Sequence, residues 1–377
     1  MLLFLRKQKY LIDYTLSSLL RRKGKSLGLL AVYTTIVFML ASVTLFTHAL
    51  RKEAGLMLQA SPEIIVQRMQ AGRHAMIPAD YLQRIGRLRG VMQKAGRLWG
   101  YYYDPIVKAN YTIMTEGQSD TPLTEIVIGT GIARVQGLDV GDYLTLRSQS
   151  GEAFSFQISA LLENDSELVS ADLLLMSPKA FRRLFSIPEG FYTDLVLSVR
   201  NPREVNKVAE KLSQLLPDTR PILRDEVLRT YESVFSWRQG ILFVLLLGSV
   251  LAFVIFAWDK ASGLSAEERR EIGILKAVGW ETADVMRMKF WEGMVISLTA
   301  FLIGYLAAYG HVFFASASLF EPVLKGWSVL YPQFRLTPYV DGLQLATLFF
   351  FSVLPYIVAT IIPIWRTSIA DPDAVMR

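Results

Sequence analysis

Four long apolar runs divide this chain, and the stretches between them follow other rhythms. Residues 27–50 and 240–258 contain no Lys, Arg, Asp or Glu. Residues 293–314 are interrupted only by His311 and small or hydroxyl positions, and residues 343–362 carry Pro355. A helix needs roughly 20 apolar residues to cross a hydrocarbon core, so each run predicts a transmembrane helix. The predicted fold is therefore a membrane α-helical protein of four transmembrane helices. Residues 51–239 form an inserted α+β extracytoplasmic domain, because their patterning switches repeatedly between a period of two and one of 3.6.

Within that insertion, residues 63–69, 97–103, 125–128, 143–147, 153–160 and 192–199 predict strands. Phe154, Phe156 and Ile158 alternate as one buried sheet face requires. Residues 78–88, 131–136, 178–184 and 202–216 predict helices, three of them with proline at the start, where a missing N–H costs little. Val205, Val208, Leu212 and Leu215 make an apolar stripe for the last of these. Residues 51–59 continue the first span outward, and residues 225–239 lead into the second with helical spacing. They form either a stiff stalk or a linker packed on the domain.

Charge fixes the orientation, since short Lys- and Arg-rich flanks stay in the cytoplasm. Arg6, Lys7, Lys9, Arg21, Arg22, Lys23 and Lys25 precede the first span against Asp13 alone. The loop at 259–292 holds Lys260, Arg269, Arg270, Lys276, Arg287 and Lys289, whereas the outer loop at 315–342 holds only Lys325 and Arg335. Both termini, 1–26 and the tail 363–377, are therefore expected inside. The first span is expected to act as an uncleaved signal anchor, being longer than the apolar core of a cleaved signal. Residues 10–25 form either an amphipathic helix on anionic lipid or a topology signal alone.

The composition agrees with a membrane protein: 52% of residues are hydrophobic, and the mean hydropathy is +0.31. The formal charge of +6 comes largely from these flanks and calls for no nucleic acid. Cysteine is absent, which excludes disulfides, thiolate metal sites and a Cys nucleophile. His48, His74 and His311 fall in unrelated regions without ligand spacing, so they read as interfacial or surface residues and no metal or catalytic triad is expected. Gly24-Lys-Ser26 lacks the preceding glycine and strand of a nucleotide-binding loop. The spans hold no Asp, Glu, Lys or Arg to line a hydrophilic path. Ala300, Gly304 and Ala308 instead make a stripe for close helix packing, and Pro355 is expected to kink the last span.

The cytoplasmic loop carries residues 267–279, Glu-Glu-Arg-Arg-Glu-Ile-Gly-Ile-Leu-Lys-Ala-Val-Gly, a charged helix between two apolar runs. Ser265 with Glu268 fits a capping box, and Gly279 suits the end of a helix. A charged helix so placed suits contact with a partner better than chemistry. The order Arg270-Glu-Ile-Gly-Ile-Leu-Lys-Ala-Val-Gly279 resembles the signature of FtsX/MacB-like, type VII ABC transporter permeases. Glu292 matches an acidic position of that family. The tail, Ile362-Pro-Ile-Trp-Arg-Thr-Ser-Ile-Ala-Asp-Pro-Asp-Ala-Val-Met-Arg377, resembles its closing pattern, with Trp365 and Thr367 departing from the commoner residues. Outside, Ile128-Gly-Thr-Gly-Ile-Ala133 and Gly137-Leu-Asp-Val-Gly-Asp142 resemble the periplasmic core domain of MacB-like and lipoprotein-releasing permeases. These glycines read as turn formers, because the phosphate-loop pattern is missing.

The resemblance implies a non-enzymatic permease subunit of the bacterial cytoplasmic membrane. A separate ABC ATPase subunit would bind ATP and Mg, and this chain would hold no cofactor. Its coupling helix would touch the ATPase through Glu267, Arg269, Arg270, Glu271, Ile272, Gly273, Lys276, Ala277 and Gly279. A second permease copy or paralogue would complete a dimer. A periplasmic adaptor, lipoprotein carrier or outer-membrane channel would be the partner outside. The output implied is mechanotransmission for export or extraction of lipoprotein, peptide or hydrophobic cargo. The alternative is an FtsX-like regulator that activates a cell-wall hydrolase without transport.

Overall fold

The computed structural model describes residues 2–59, 61–86, 88–115, 122–162, 167, 170–230, 244–245, 247–252, 254–255, 258, 266–320, 329–330 and 336–369. The chain divides into two compact units. One comprises Met1–His48, Ser236–Ala317 and Pro338–Arg377, and the other Ala49–Phe235 with Ser318–Thr337.

The first unit is helical. It contains α1 (Leu2–Arg21) and the first part of α2 (Lys23–Gln59). Two helices, Lys23–Glu53 and Thr282–Phe313, are long and apolar enough to cross a membrane, and a shorter apolar helix covers Gly342–Val358. Much of the expected span at 240–258 lies outside the described residues; what is described there is helical. Gly24-Lys-Ser26 sits inside α2 rather than in a phosphate-cradling loop.

Close approach of α2 to the helix at Thr282–Phe313 depends on the small-residue stripe. Ala300 and Ala308 are fully buried, and a Cβ on Gly304 would stand 2.9 Å from both the Thr34 carbonyl and the Val37 side chain. The helix beginning at Gly342 packs on the same core. Phe301 meets Phe349 edge-on at 5.4 Å, and the Tyr33 hydroxyl donates to the Ser352 carbonyl. That helix is continuous from Gly342 to Ile369, with Pro355 inside it. His311 is not a surface residue: it is buried, with Nδ1 3.3 Å from Ser42 Oγ.

The second unit is mixed α and β. Its first sheet has the order β13 (Thr219–Leu223), β1 (Ile64–Gln70), β12 (Asp194–Val199), β4 (Val91–Arg97), all antiparallel, with β2 (Arg73–Ala75) hairpinned onto β1. Helices α3 (Asp80–Ile85) and α6 (Val205–Leu215) share its core of Ile64, Val66, Leu195, Leu197, Val208 and Leu212. The expected stripe of α6 ends differently, because Leu215 is 41% exposed and Leu216 is the fully buried residue.

The second sheet runs β5 (Trp99–Asp104), β6 (Ala109–Thr115), β10 (Leu173–Met176), β7 (Glu125–Gly129), β9 (Ala153–Leu162), β8 (Tyr143–Arg147). It mixes parallel and antiparallel pairs and is covered by α4 (Thr130–Gln136) and α5 (Pro178–Phe185). Its two edges meet where the Tyr102 hydroxyl accepts the Arg147 N–H at 2.9 Å. A small ladder of β3 (Ile77–Pro78) and β11 (Phe191–Tyr192) stands apart.

The predicted strand at 97–103 is two strands, because the chain changes sheets at Leu98, which is buried in the second core. Asp194 pins the corner. Its carboxylate takes both ends of the Arg97 guanidinium at 2.9 and 2.6 Å and the Trp99 indole N–H at 2.8 Å. Fully buried, it is a charge that such paired donors make tolerable.

The glycine motif of this unit is structural, though not only for turns. A Cβ on Gly129 would fall 1.9 Å from the Ser170 carbonyl, so backbone approach requires glycine there. Gly137 caps α4 with a φ of 67°.

Candidate functional site

The cytoplasmic helix expected at 267–279 is present as α7 (Ala266–Ala277) and is followed by α8 (Thr282–Phe313). Its amino-terminal signal at Ser265 lies outside the described residues. Its end follows the glycine rule: Gly279 has a φ of 101°, its N–H donates to the Lys276 carbonyl at 3.0 Å, and the Trp280 N–H donates to the Leu275 carbonyl at 3.0 Å. Those two bonds make a Schellman cap, which lets the chain turn sharply from α7 into α8.

The two sides of α7 face different surroundings. On the inner side Ile272 is 3% exposed and clusters with Val285 of α8, while Gly273 is buried. Glu271 points the same way and gathers three donors from the amino-terminal segment. The Tyr14 hydroxyl donates to Oε1 at 2.8 Å, Arg22 Nη2 donates to Oε2, and Arg21 lies 3.5 Å away. Burial pushes the Tyr14 phenol above its ordinary pKa, helped by the bond to Glu271 and by that carboxylate's charge. On the outer side Arg270, Ala277 and Gly279 are exposed, and Ile274 and Val278 are 51% and 76% exposed. Lys276 is half-buried. Glu267 and Arg269 belong to the helix, and their side chains lie outside the described residues.

Helix α1 is the brace for this arrangement. Gln8 accepts the Trp291 indole N–H at 2.8 Å, Thr15 approaches the Met288 carbonyl at 3.4 Å, and Tyr14 meets the Trp280 ring at 5.6 Å. A cavity of about 240 Å³ between Tyr10, Leu11, Trp280 and Asp284 remains beside it. Glu292 is held by Lys289 at 2.6 Å, a pair with both side chains mostly buried. Nothing in the sequence signalled that the basic residues before the first span would grip the loop, since the partners are about 250 positions apart.

The carboxy-terminal part of the chain, residues 239–372, matches the family model described as FtsX-like permease C-terminal. The chain carries an FtsX-like permease domain. α7, α8 and the helix from Gly342 all fall within that domain. An uncharacterised ABC transporter permease of Methanocaldococcus jannaschii is 23% identical over an alignment of 191 positions that covers 47% of this chain. The match spans about half of that relative, 45% of its length. The solved extracellular domain of YknZ, a noncanonical ABC-type transporter from Gram-positive bacteria, aligns over 98% of its own length and 42% of this chain. That alignment has 10% identity and a TM-score of 0.30, too low to equate the two folds.

Proposed function

We propose that this chain is the membrane subunit of an FtsX-like ABC system, with four spans, both termini in the cytoplasm and residues 51–239 outside. A separate ABC ATPase, holding ATP and Mg, docks on the outer side of α7. Arg270, Ile274, Ala277 and Val278 make the contact, with Glu267, Arg269, Lys276 and Gly279 beside them. Glu271, Ile272 and Gly273 hold α7 in place from the inner side. A second copy or a paralogue completes the assembly, as in the family the sequence resembles.

The observation that carries this reading is the two-sidedness of α7. Ile274 and Val278 lie one turn apart, apolar and bare, on a helix whose other side is clamped by an ion-paired carboxylate. An apolar strip beside a charged residue on a braced helix suits insertion into a groove. Helix α2, at 37 residues roughly 55 Å long, exceeds what a bilayer needs and supplies the rod by which motion leaves the membrane. The output is mechanical work on a lipoprotein, peptide or hydrophobic cargo.

Affinity purification of the full chain from its native membrane should recover an ABC ATPase. The double variant Ile274→Asp, Val278→Asp should lose that partner while inserting and unfolding as before. Retention of the ATPase by this variant refutes the docking surface. The chain has no cysteine, so one placed at Ser150 reports topology cleanly: an impermeant reagent should label it in intact cells. Labelling only after lysis refutes the orientation.

A further inference from the structure

Edge strands can recruit a further chain, and folded proteins usually guard them. Among the described residues, β13 and β4 bound the first sheet, with the three-residue β2 beside them, and β5 and β8 bound the second. On β13, Pro221 has no N–H to offer. β5 and β8 are bridged to each other through Tyr102 and Arg147. Among the described residues β4 has neither device; its one irregularity is a register shift against β12 that leaves Met92 unpaired near its start. A lysine on an edge strand commonly serves as the guard, but Lys94 turns its ammonium back onto the Leu82 and Gly86 carbonyls, 2.6 Å from each, at the end of α3.

A groove of about 750 Å³ runs along this strand, between the turn before it and the segment after β12. Leu88, Val91 and Met92 supply apolar surface, and Met92 is 61% exposed. Arg89 and Arg200 are exposed at its rim with Lys94 beneath, against one carboxylate among the described lining residues, Glu204. The groove is thus apolar along the strand and positive at the rim. Beyond that register shift the Gly90 carbonyl accepts the Arg200 N–H at 2.9 Å, so the pairing of this segment with β12 resumes before β4 begins.

We infer that β4 binds an extended, acidic peptide segment of a partner or cargo protein as an added strand. The peptide backbone pairs with the open edge, its apolar side chains lie on Val91 and Met92, and its carboxylates meet Arg89 and Arg200. A neutral apolar peptide would leave the two guanidinium groups unused, and a basic one would be repelled by them. The inference stands on the fold of the second unit alone, so it is tested without the ATPase.

The probe is a fluorescein-labelled peptide of about seven residues, a common strand length, alternating Val and Glu. It is titrated against the full chain in a non-ionic detergent and read by anisotropy. Saturable binding is expected, at least about tenfold weaker for the Val and Lys counterpart and for the Arg89→Glu, Arg200→Glu variant. N-methylation of every second peptide nitrogen should abolish binding in one phase and spare it in the other, because only alternate N–H groups face a neighbouring strand. The peptide arms use the unaltered chain, so they hold even if the double variant misfolds. Absence of saturable binding overturns the inference. So does binding that ignores the phase of N-methylation, which marks adsorption to the micelle or to a charged surface.

Discussion

Alanine at Gly304 tests how closely α2 and α8 approach. The new Cβ would stand 2.9 Å from a backbone carbonyl, that of Thr34, and 2.9 Å from Val37 Cβ and Cγ1, where ordinary contact lies at 3.4–4 Å. A carbonyl in a helix cannot rotate aside, so the helices must part by about half an ångström or α8 must shift. Overpacking of this kind costs about 1–3 kcal/mol. The change from glycine to alanine itself favours a helix by about 1 kcal/mol, which leaves a net loss of up to about 2 kcal/mol. Gly310 provides the control on the same helix, since nothing lies within 4 Å of its Cβ position. There the substitution should gain up to about 1 kcal/mol. Unfolding the full chain with SDS and following the helical circular dichroism signal reads the first unit, because the second is mainly strand. Opposite shifts of the midpoint are expected. Equal shifts for both variants would refute close packing at Gly304.

The same comparison of neighbours applies to α6: Leu216→Ala should cost about 2–5 kcal/mol and Leu215→Ala no more than about 0.5 kcal/mol, measured by thermal unfolding. Asp218 is held below its ordinary pKa, first by the Tyr81 hydroxyl at 2.7 Å and then by Arg68 at 2.9 Å, against the opposing effect of burial. A depressed carboxylate stabilises fully above its unfolded pKa of about 3.9 and loses that contribution as pH falls through the lower folded value. The difference in melting temperature between the unaltered chain and Asp218→Asn should therefore be present near neutrality and vanish in strong acid; a constant difference would count against it. Tyr14→Phe and Glu271→Gln should be non-additive by about 1 kcal/mol, and additive effects would mean that the two do not act together.

Legibility in the sequence followed the range of the interaction. Strands β1, β7, β8 and β9 and helices α4 and α5 appear within a residue or two of the predicted bounds, because alternation, proline and glycine act locally. β6, β10 and β13 were not predicted. β10, Leu-Leu-Leu-Met, lacks alternation because both of its faces are at least half-buried, whereas β6, Ala-Asn-Tyr-Thr-Ile-Met-Thr, does alternate and was legible. The sheet change at Leu98 is set by Asp194, almost 100 positions away, and no local pattern encodes it. The helix and the glycine stop of the candidate site were legible for the local reason. Which side of that helix is free was not, since α1 decides it from the opposite end of the sequence.

That long-range brace bears on how force could travel. Arg22 is the single residue between the end of α1 and the start of α2, and with Tyr14 and Arg21 it is one of the three residues that reach Glu271 of α7. On the proposed function, this bond carries a displacement of α7 to the root of α2. An arginine can hold a carboxylate through two parallel bonds, a grip that resists rotation as well as stretch. On the proposed function, Arg22→Ala should leave the outer side of α7 intact and keep the ATPase bound, yet uncouple it. A cysteine at Lys52, exposed on the far part of α2, should change its labelling rate when ATP is added to the assembled complex. With Arg22→Ala that change should disappear while co-purification persists. If the nucleotide-dependent change survives the substitution, motion reaches α2 by another route, and Glu271 with Arg22 does no more than hold the loop.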